Sequence, residues 1–69
     1  MINRAMLLKT KKVDELISAL NTSGYNCKEA GGRIKVFIEA QGYQEFKMLV
    51  EEVLSIANKF GAQFLGYIG

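Results

Sequence analysis

The stretch Tyr25–Ala40, Y-N-C-K-E-A-G-G-R-I-K-V-F-I-E-A, predicts two β-strands joined by a tight turn. Gly31 and Gly32 stand between two runs of alternating side chains, and glycine reaches the positive φ angles of a type I′ turn without steric cost. Folding the chain at this pair sets a register in which Lys28 lies opposite Lys35. The same register pairs Tyr25 with Ile38, Asn26 with Phe37, Cys27 with Val36 and Glu29 with Ile34.

The predicted hairpin has one apolar and one polar side, because successive side chains of a strand point to opposite faces. The apolar side, which should pack against helices, carries Tyr25, Cys27, Ile34, Val36 and Ile38. The other side carries Lys28, Arg33, Lys35, Phe37 and Glu39. We expect this second side to be a basic surface with one aromatic ring in it.

The rest of the chain predicts two helices and two further strands. Residues 11–22 and 43–60 carry apolar side chains three and four positions apart, which indicates amphipathic helices, and Thr10 is the expected N-cap of the first. Residues 2–9 and 62–68 are apolar at both odd and even positions, which is typical of strands covered on both faces. The alternative for residues 2–9 is that they begin the first helix, because Met, Leu and Ala favour helices.

The order strand, helix, strand, strand, helix, strand predicts a single α+β domain over residues 1–69. Two right-handed crossovers then give a four-stranded antiparallel sheet of order 4-1-3-2 with both helices on one face. This topology resembles the ferredoxin-like split βαβ plait. The heavy-metal carriers of that shape have a pair of cysteines in the first loop, where this chain has K-T-K-K at 9–12. RNA-recognition domains place several aromatic residues on the two central strands, where this chain has Phe37 alone.

The helix-free face of such a sheet should be rich in apolar side chains. Besides Phe37, we expect Ala5 and Leu7, or Met6 and Leu8, from the first strand, and Leu65 and Tyr67, or Phe64 and Ile68, from the last. A patch of this kind is at the upper end of what a monomer exposes to water. We therefore predict a protein-binding or oligomer face formed by Leu7, Phe37, Leu65 and Tyr67.

Composition argues against most catalytic chemistry. The 69 residues contain no histidine and one cysteine, and the net charge is +2. Without histidine there is no ordinary imidazole base, and without a cysteine and histidine cluster there is no typical metal site. We expect no enzyme activity, no cofactor and no metal. One cysteine and no long apolar run predict a cytoplasmic protein that does not enter a membrane.

Three functions compete on these observations. The first is a non-catalytic module, such as an accessory subunit, regulator or inhibitor, that binds a protein partner or forms a homodimer through the open face of the sheet. The second is binding of single-stranded nucleic acid on the same face through Lys28, Arg33, Lys35 and Phe37. The third is a small-ligand or anion sensor at Lys9, Thr10, Lys11 and Lys12, where a strand meets a helix N-terminus.

Overall fold

A computed structural model describes residues 1–68 and shows an α+β fold. The elements in chain order are β1 (Ile2–Lys9), α1 (Val13–Thr22), β2 (Asn26–Ala30), β3 (Arg33–Ala40), α2 (Tyr43–Lys59) and β4 (Gln63–Ile68). The strands form one antiparallel sheet in the order β2-β3-β1-β4, which is the predicted order read from the opposite edge. Because residues 2–9 are a strand, the alternative that they begin the first helix is wrong.

The hairpin between β2 and β3 forms where the sequence predicts it. Gly31 and Gly32 have φ angles of 60° and 79°, so both central residues of the turn are left-handed. The predicted pairing is confirmed from Asn26 to Glu29, and it includes Lys28 opposite Lys35. Tyr25 lies outside β2, so its predicted pairing with Ile38 is not part of the ladder, and its backbone N–H donates to the carbonyl oxygen of Leu20 at 2.9 Å.

Both helices cover the same face of the sheet. The side chains that form one continuous core are Met6, Leu8, Leu16, Leu20, Tyr25, Ile34, Val36, Ile38, Val50, Val53 and Ala57. They come from β1, β3, α1 and α2, together with the residue that precedes β2. Since Met6 and Leu8 belong to this core, the open face of the sheet receives the other parity of β1, namely Ala5 and Leu7.

The start of α1 differs from the prediction. The N-cap is Lys12 rather than Thr10, and the helix begins at Val13. The Thr10 hydroxyl instead donates to the carbonyl oxygen of Phe60 at 2.9 Å and accepts the backbone N–H of Lys12 at 3.1 Å. Thr10 therefore ties the loop after β1 to the end of α2, a contact between residues that are far apart in sequence.

A β-bulge in β4 overturns the predicted placement of Tyr67. The register between β1 and β4 shifts between Leu7 and Leu8, so that Leu8 pairs with Phe64 and Met6 pairs with Tyr67. Directly opposed residues share a face, and both of these β1 residues point to the helices. Phe64 and Tyr67 therefore lie on the helix side together.

The bulge breaks the alternation on which both predicted alternatives for the last strand depended. Gly66 has a φ angle of 126° at this irregularity, a conformation that favours glycine. The prediction that Tyr67 belongs to the open face is wrong, and its ring lies 5.8 Å from that of Phe46 in α2. Ile68, which pairs with Ala5, is the β4 side chain that reaches the open face.

Candidate functional site

The open face, meaning the side of the sheet without helices, is arranged in rows that cross the strands. The rows are given from the Gly31-Gly32 turn onward, and each row runs from β2 toward β4. They contain Ala30, Arg33, Lys9 and Gln63; Lys28, Lys35, Leu7 and Gly66; Asn26, Phe37, Ala5 and Ile68; and Glu39 with Asn3. The first two rows are basic, the third is apolar around one aromatic ring, and the last is polar. The face therefore has a basic end and a weakly acidic end.

Positive charge is concentrated on this face. It carries four of the chain's nine Lys and Arg residues and one of its seven Asp and Glu residues. Its formal charge is therefore +3, which leaves −1 for the rest of a chain whose net charge is +2. Positive charge is therefore distributed unevenly over the surface although the net charge is small. An uneven distribution of this kind attracts anions to one surface.

The most constrained part of the basic end is the pair Lys28 and Lys35. These residues lie directly opposite each other on β2 and β3, so their Cα atoms are ~5 Å apart. Like charges placed in this way are unfavourable for the hairpin on its own. An anion bound between the two ammonium groups would remove that repulsion, so binding should be favoured at this point of the sheet.

A shallow concavity of about 450 Å³ lies beside this pair on the open face. Phe37 forms part of its lining and is 48% exposed. Asn3 and Asn26 also line it, and their amides can both donate and accept hydrogen bonds. An exposed aromatic ring with amides around it can stack on a flat heterocycle and hydrogen-bond to its edge.

The residues predicted as a protein-binding face do not come together. Leu7 and Phe37 lie on the open face in neighbouring rows. Leu65 is in the bulge of β4 and is 39% exposed, at the edge of the sheet. Tyr67 is on the opposite side of the sheet, next to Phe46.

The residues predicted for nucleic-acid binding do share one surface. Lys28, Arg33, Lys35 and Phe37 all lie on the open face, in three successive rows. Lys9 joins them, because it pairs with Arg33. The odd position of Lys9 in β1, shared with Leu7, is a sequence signal that places it on this face as well as beside the loop.

The loop predicted as an anion site forms a second basic groove. Lys9, Thr10, Lys11 and Lys12 line a depression of about 480 Å³ together with residues at the end of α2, including Lys59. The hydroxyl hydrogen of Thr10 is already donated to a backbone carbonyl. An anion in this groove would therefore meet lysine side chains and backbone N–H groups, but not the Thr10 hydroxyl as a donor.

Two titratable groups on the helix side have a structural role. The Cys27 thiol is half-buried and points toward the carbonyl oxygen of Tyr25 at 3.9 Å, and burial raises its pKa. The Tyr25 hydroxyl donates to Oε1 of Glu52 in α2. Burial, followed by the hydrogen bond and the charge of Glu52, raises the pKa of Tyr25. The raised pKa keeps the Cys27 thiol protonated. The hydrogen bond of Tyr25 connects the residue before β2 to α2.

Among residues 1–68, no three His, Cys, Asp or Glu side chains lie close enough together to hold a metal ion. Nor is any helix within this part of the chain long and apolar enough to cross a membrane. Comparisons with protein-family models, with curated proteins and with solved structures find no match. The open face is therefore interpreted from its own side chains.

Proposed function

We propose that this chain is a small non-catalytic binding module with a ferredoxin-like split βαβ plait. Three observations support the fold: the element order, the strand order β2-β3-β1-β4, and the packing of both helices on one face. The open face is the surface that takes the partner. The best-supported partner is single-stranded nucleic acid.

The charge of the open face is the observation that carries this proposal. Its four cations lie in the two rows on one side of the row that contains Phe37, and its single carboxylate, Glu39, lies in the row on the other side. Phosphate groups are the polyanionic partner for such a surface, and Lys and Arg contacts to them provide most of the affinity without sequence preference.

The concavity at Phe37 favours nucleic acid over other polyanions. A base that stacks on this half-exposed ring would place its edge within reach of the amides of Asn3 and Asn26. The phosphate on one side of that base would then lie over Lys28 and Lys35, one row away along the sheet. Stacking and phosphate contacts together are the usual combination in proteins that bind single strands.

The first experiment compares two double charge reversals that change net charge equally. Lys28→Glu with Lys35→Glu alters the open face, and Lys11→Glu with Lys12→Glu alters the loop groove. We expect the first variant to lose at least ~100-fold in affinity for a short single-stranded oligonucleotide at about 50 mM salt, measured by fluorescence anisotropy. The loop variant should lose only a few-fold. Equal losses would mean that net charge alone, and not the open face, controls binding, and would contradict the proposal.

Phe37→Ala tests the base-stacking part of the proposal. Removing one stacked ring costs ~1–3 kcal/mol per base in proteins of this kind, so the affinity should fall by roughly 5- to 150-fold. Phe37 is 48% exposed and outside the core, and the folded state should therefore survive the change. An unchanged affinity would show that the ring does not contact a base.

A second candidate partner is an acidic protein segment, because the third row of the open face is apolar. Ala5, Phe37 and Ile68 in that row would pack against apolar side chains of such a segment, while the basic rows met its carboxylates. Poly-glutamate separates the two candidates. If poly-glutamate competes with the oligonucleotide at equal charge concentration, and Phe37→Ala does not weaken oligonucleotide binding, the acidic protein partner is favoured.

Face-to-face pairing of two open faces, as in the homodimer predicted from the sequence, is the less favourable arrangement. Such a homodimer would bring two sets of four cations together and offer only Glu39 from each copy to neutralise them. Burying like charges at an interface is costly. We therefore assign the open face to an anionic partner.

A further inference from the structure

The two edges of the sheet differ in chemistry. Strand β2, at one edge, contains Lys28 and Glu29, whereas strand β4, at the other edge, has the sequence Q-F-L-G-Y-I without any charge. Charged residues on an edge strand discourage pairing with another chain. By this criterion the β2 edge is protected and the β4 edge is not.

The β4 edge is also where apolar side chains reach the solvent. Phe64, Leu65, Tyr67 and Ile68 are 37%, 39%, 43% and 38% exposed. Together they are four of the eight large apolar side chains that are exposed among residues 1–68. Four such residues within one six-residue strand form a concentrated patch, which usually marks an interaction surface.

The shape of this patch indicates what can cover it. The bulge puts Phe64 and Tyr67 on the helix side, and Ile68 lies on the open side, so the edge is apolar on both sides. Between the two sides runs the backbone of an edge strand, with N–H and C=O groups that β1 cannot reach. A β-strand covers both sides and pairs with the backbone, which a helix docked on one side would not do.

We propose that β4 pairs with β4 of a second copy of this chain, in antiparallel orientation and with Phe64 of each copy opposite Tyr67 of the other. In this register both rings lie on the helix side, and Gln63 lies opposite Ile68 on the open side. Aromatic residues directly opposed across strands stabilise a sheet. The two four-stranded sheets then become one continuous sheet.

A second copy fits this edge better than an unrelated strand because β4 meets itself without repulsion. The strand carries no charge, so two copies of it do not repel each other. Two-fold symmetry also places the helix side of each copy next to the helix side of the other. Within one chain the Phe64 and Tyr67 rings already pack edge to face at 5.2 Å. Pairing would extend this contact into a four-ring cluster that includes both copies.

The small exposed area of the β4 edge indicates a weak dimer. Two rings and two aliphatic side chains, each about two-fifths exposed, leave roughly 300 Å² per copy to be buried, since an aromatic side chain covers ~150–250 Å². A standard stable interface buries ~800 Å² per partner. The groove beside Phe64, lined by Leu54 and Asn58 of α2, adds area where the two helices approach each other. We expect a dissociation constant on the order of 10 µM.

The test compares one charge placed at each edge. Leu65→Lys introduces a cation at the centre of the proposed pairing, and Asn26→Lys introduces the same charge in β2. In sedimentation equilibrium the wild type should be a dimer at high concentration. Leu65→Lys should weaken the dimer at least ~30-fold, because it places two cations near the symmetry axis. Asn26→Lys should leave the dimer unchanged.

Hydrogen exchange of the wild type provides a measurement that does not depend on any variant folding. Backbone amides in Gln63–Ile68 should exchange more slowly as protein concentration rises, while those in Asn26–Ala30 should not change. A monomer at every concentration, a dimer that tolerates Leu65→Lys, protection outside β4, or open-ended growth would each overturn the proposal. So would a β4 edge that pairs only with a strand of a different protein. Nucleic-acid binding is measured separately through Lys28 and Lys35.

Discussion

The β2–β3 hairpin and strand β4 lie in the same sheet but present different chemistry to a partner. The hairpin has Lys28, Arg33 and Lys35 on one side of an exposed ring, and strand β4 has apolar side chains and no charge. The hairpin side chains alternate strictly between the two faces, whereas the bulge in β4 places apolar groups on both sides of the edge. A basic surface and an apolar surface therefore share one small sheet, because the first occupies a face and the second an edge.

Salt concentration should separate the two surfaces most strongly. Four phosphate contacts to a single strand give a slope of ~−3 in log affinity against log salt, so oligonucleotide affinity should fall roughly 50-fold between about 50 and 200 mM salt. Self-association through the uncharged β4 should change less than about twofold over the same range. Anisotropy titrations and sedimentation on the same samples would measure both.

Opposite results would remove the distinction between the two surfaces. Oligonucleotide binding that is independent of salt would mean that the lysines of the open face do not contact phosphates. A dimer that dissociates as salt rises would mean that charged groups, and not the apolar edge, hold the copies together.

The bulge at Gly66 is the feature that keeps Tyr67 away from the open face. Gly66 has a φ angle of 126°, and a Cβ there would meet no atom within 4 Å, so a substitution is costly through the backbone alone. We expect Gly66→Val to reduce the free energy of unfolding by ~1–3 kcal/mol, measured by urea titration. Gly42→Ser is the control, because Gly42 is an extended N-cap position that serine favours.

The Gly66→Val variant also tests whether the bulge is needed for the proposed pairing of β4 with a second copy. If the strand relieves its strain by losing the bulge, alternation returns and Tyr67 can no longer share a side with Phe64. The register proposed for the dimer then fails as well, and self-association should be lost with the bulge. A variant of full stability that still dimerises would contradict this account of β4.

The hairpin and the order of elements could be predicted from the sequence because each depends on local signals. Gly31 and Gly32 set the turn, strict alternation set the faces, and the crossover rule set the strand order. Strand β4 could not be read in the same way. Its residues are apolar at every position except Gln63 and Gly66, so alternation carries no information, and a bulge depends on its pairing partner.

The candidate site was predictable to the same degree as the elements that form it. All four residues proposed for nucleic acid lie together because they belong to one hairpin with a fixed register. The set Leu7, Phe37, Leu65 and Tyr67 failed because it combined three strands, and one of them is irregular. The bond from Thr10 to Phe60 was beyond prediction, since it joins residues 50 positions apart without any local pattern.

The hydrogen bond from Tyr25 to Glu52 connects the start of the hairpin to α2, and its contribution to stability can be measured. Tyr25→Phe removes the hydrogen bond to the Glu52 carboxylate, and we expect the free energy of unfolding to fall by ~1–2 kcal/mol at neutral pH. The pKa of Tyr25 is raised above its unfolded value, so its stabilising contribution is present below pH ~10 and is lost as pH rises further.

The pH dependence distinguishes this bond from a simple packing effect. The difference in stability between the wild type and Tyr25→Phe should shrink in urea titrations carried out above pH ~10, because the unfolded tyrosine then loses its proton more readily than the folded one. A difference that stays constant with pH would show that the hydroxyl contributes nothing beyond its volume. Oligonucleotide binding at neutral pH should be unaffected, since Tyr25 faces the helices.

Met48 gives the smallest expected effect and the strictest control for the β4 edge. It is 69% exposed on α2, more than any side chain of β4, yet it is surrounded by polar residues of the helix. Met48→Lys adds the same charge as Leu65→Lys at a position where both residues favour a helix, so unfolding should change by less than ~0.5 kcal/mol. The dimer should also persist. If Met48→Lys weakens self-association as much as Leu65→Lys does, exposed apolar area anywhere on the surface is sufficient, and the assignment of pairing to the edge strand is wrong.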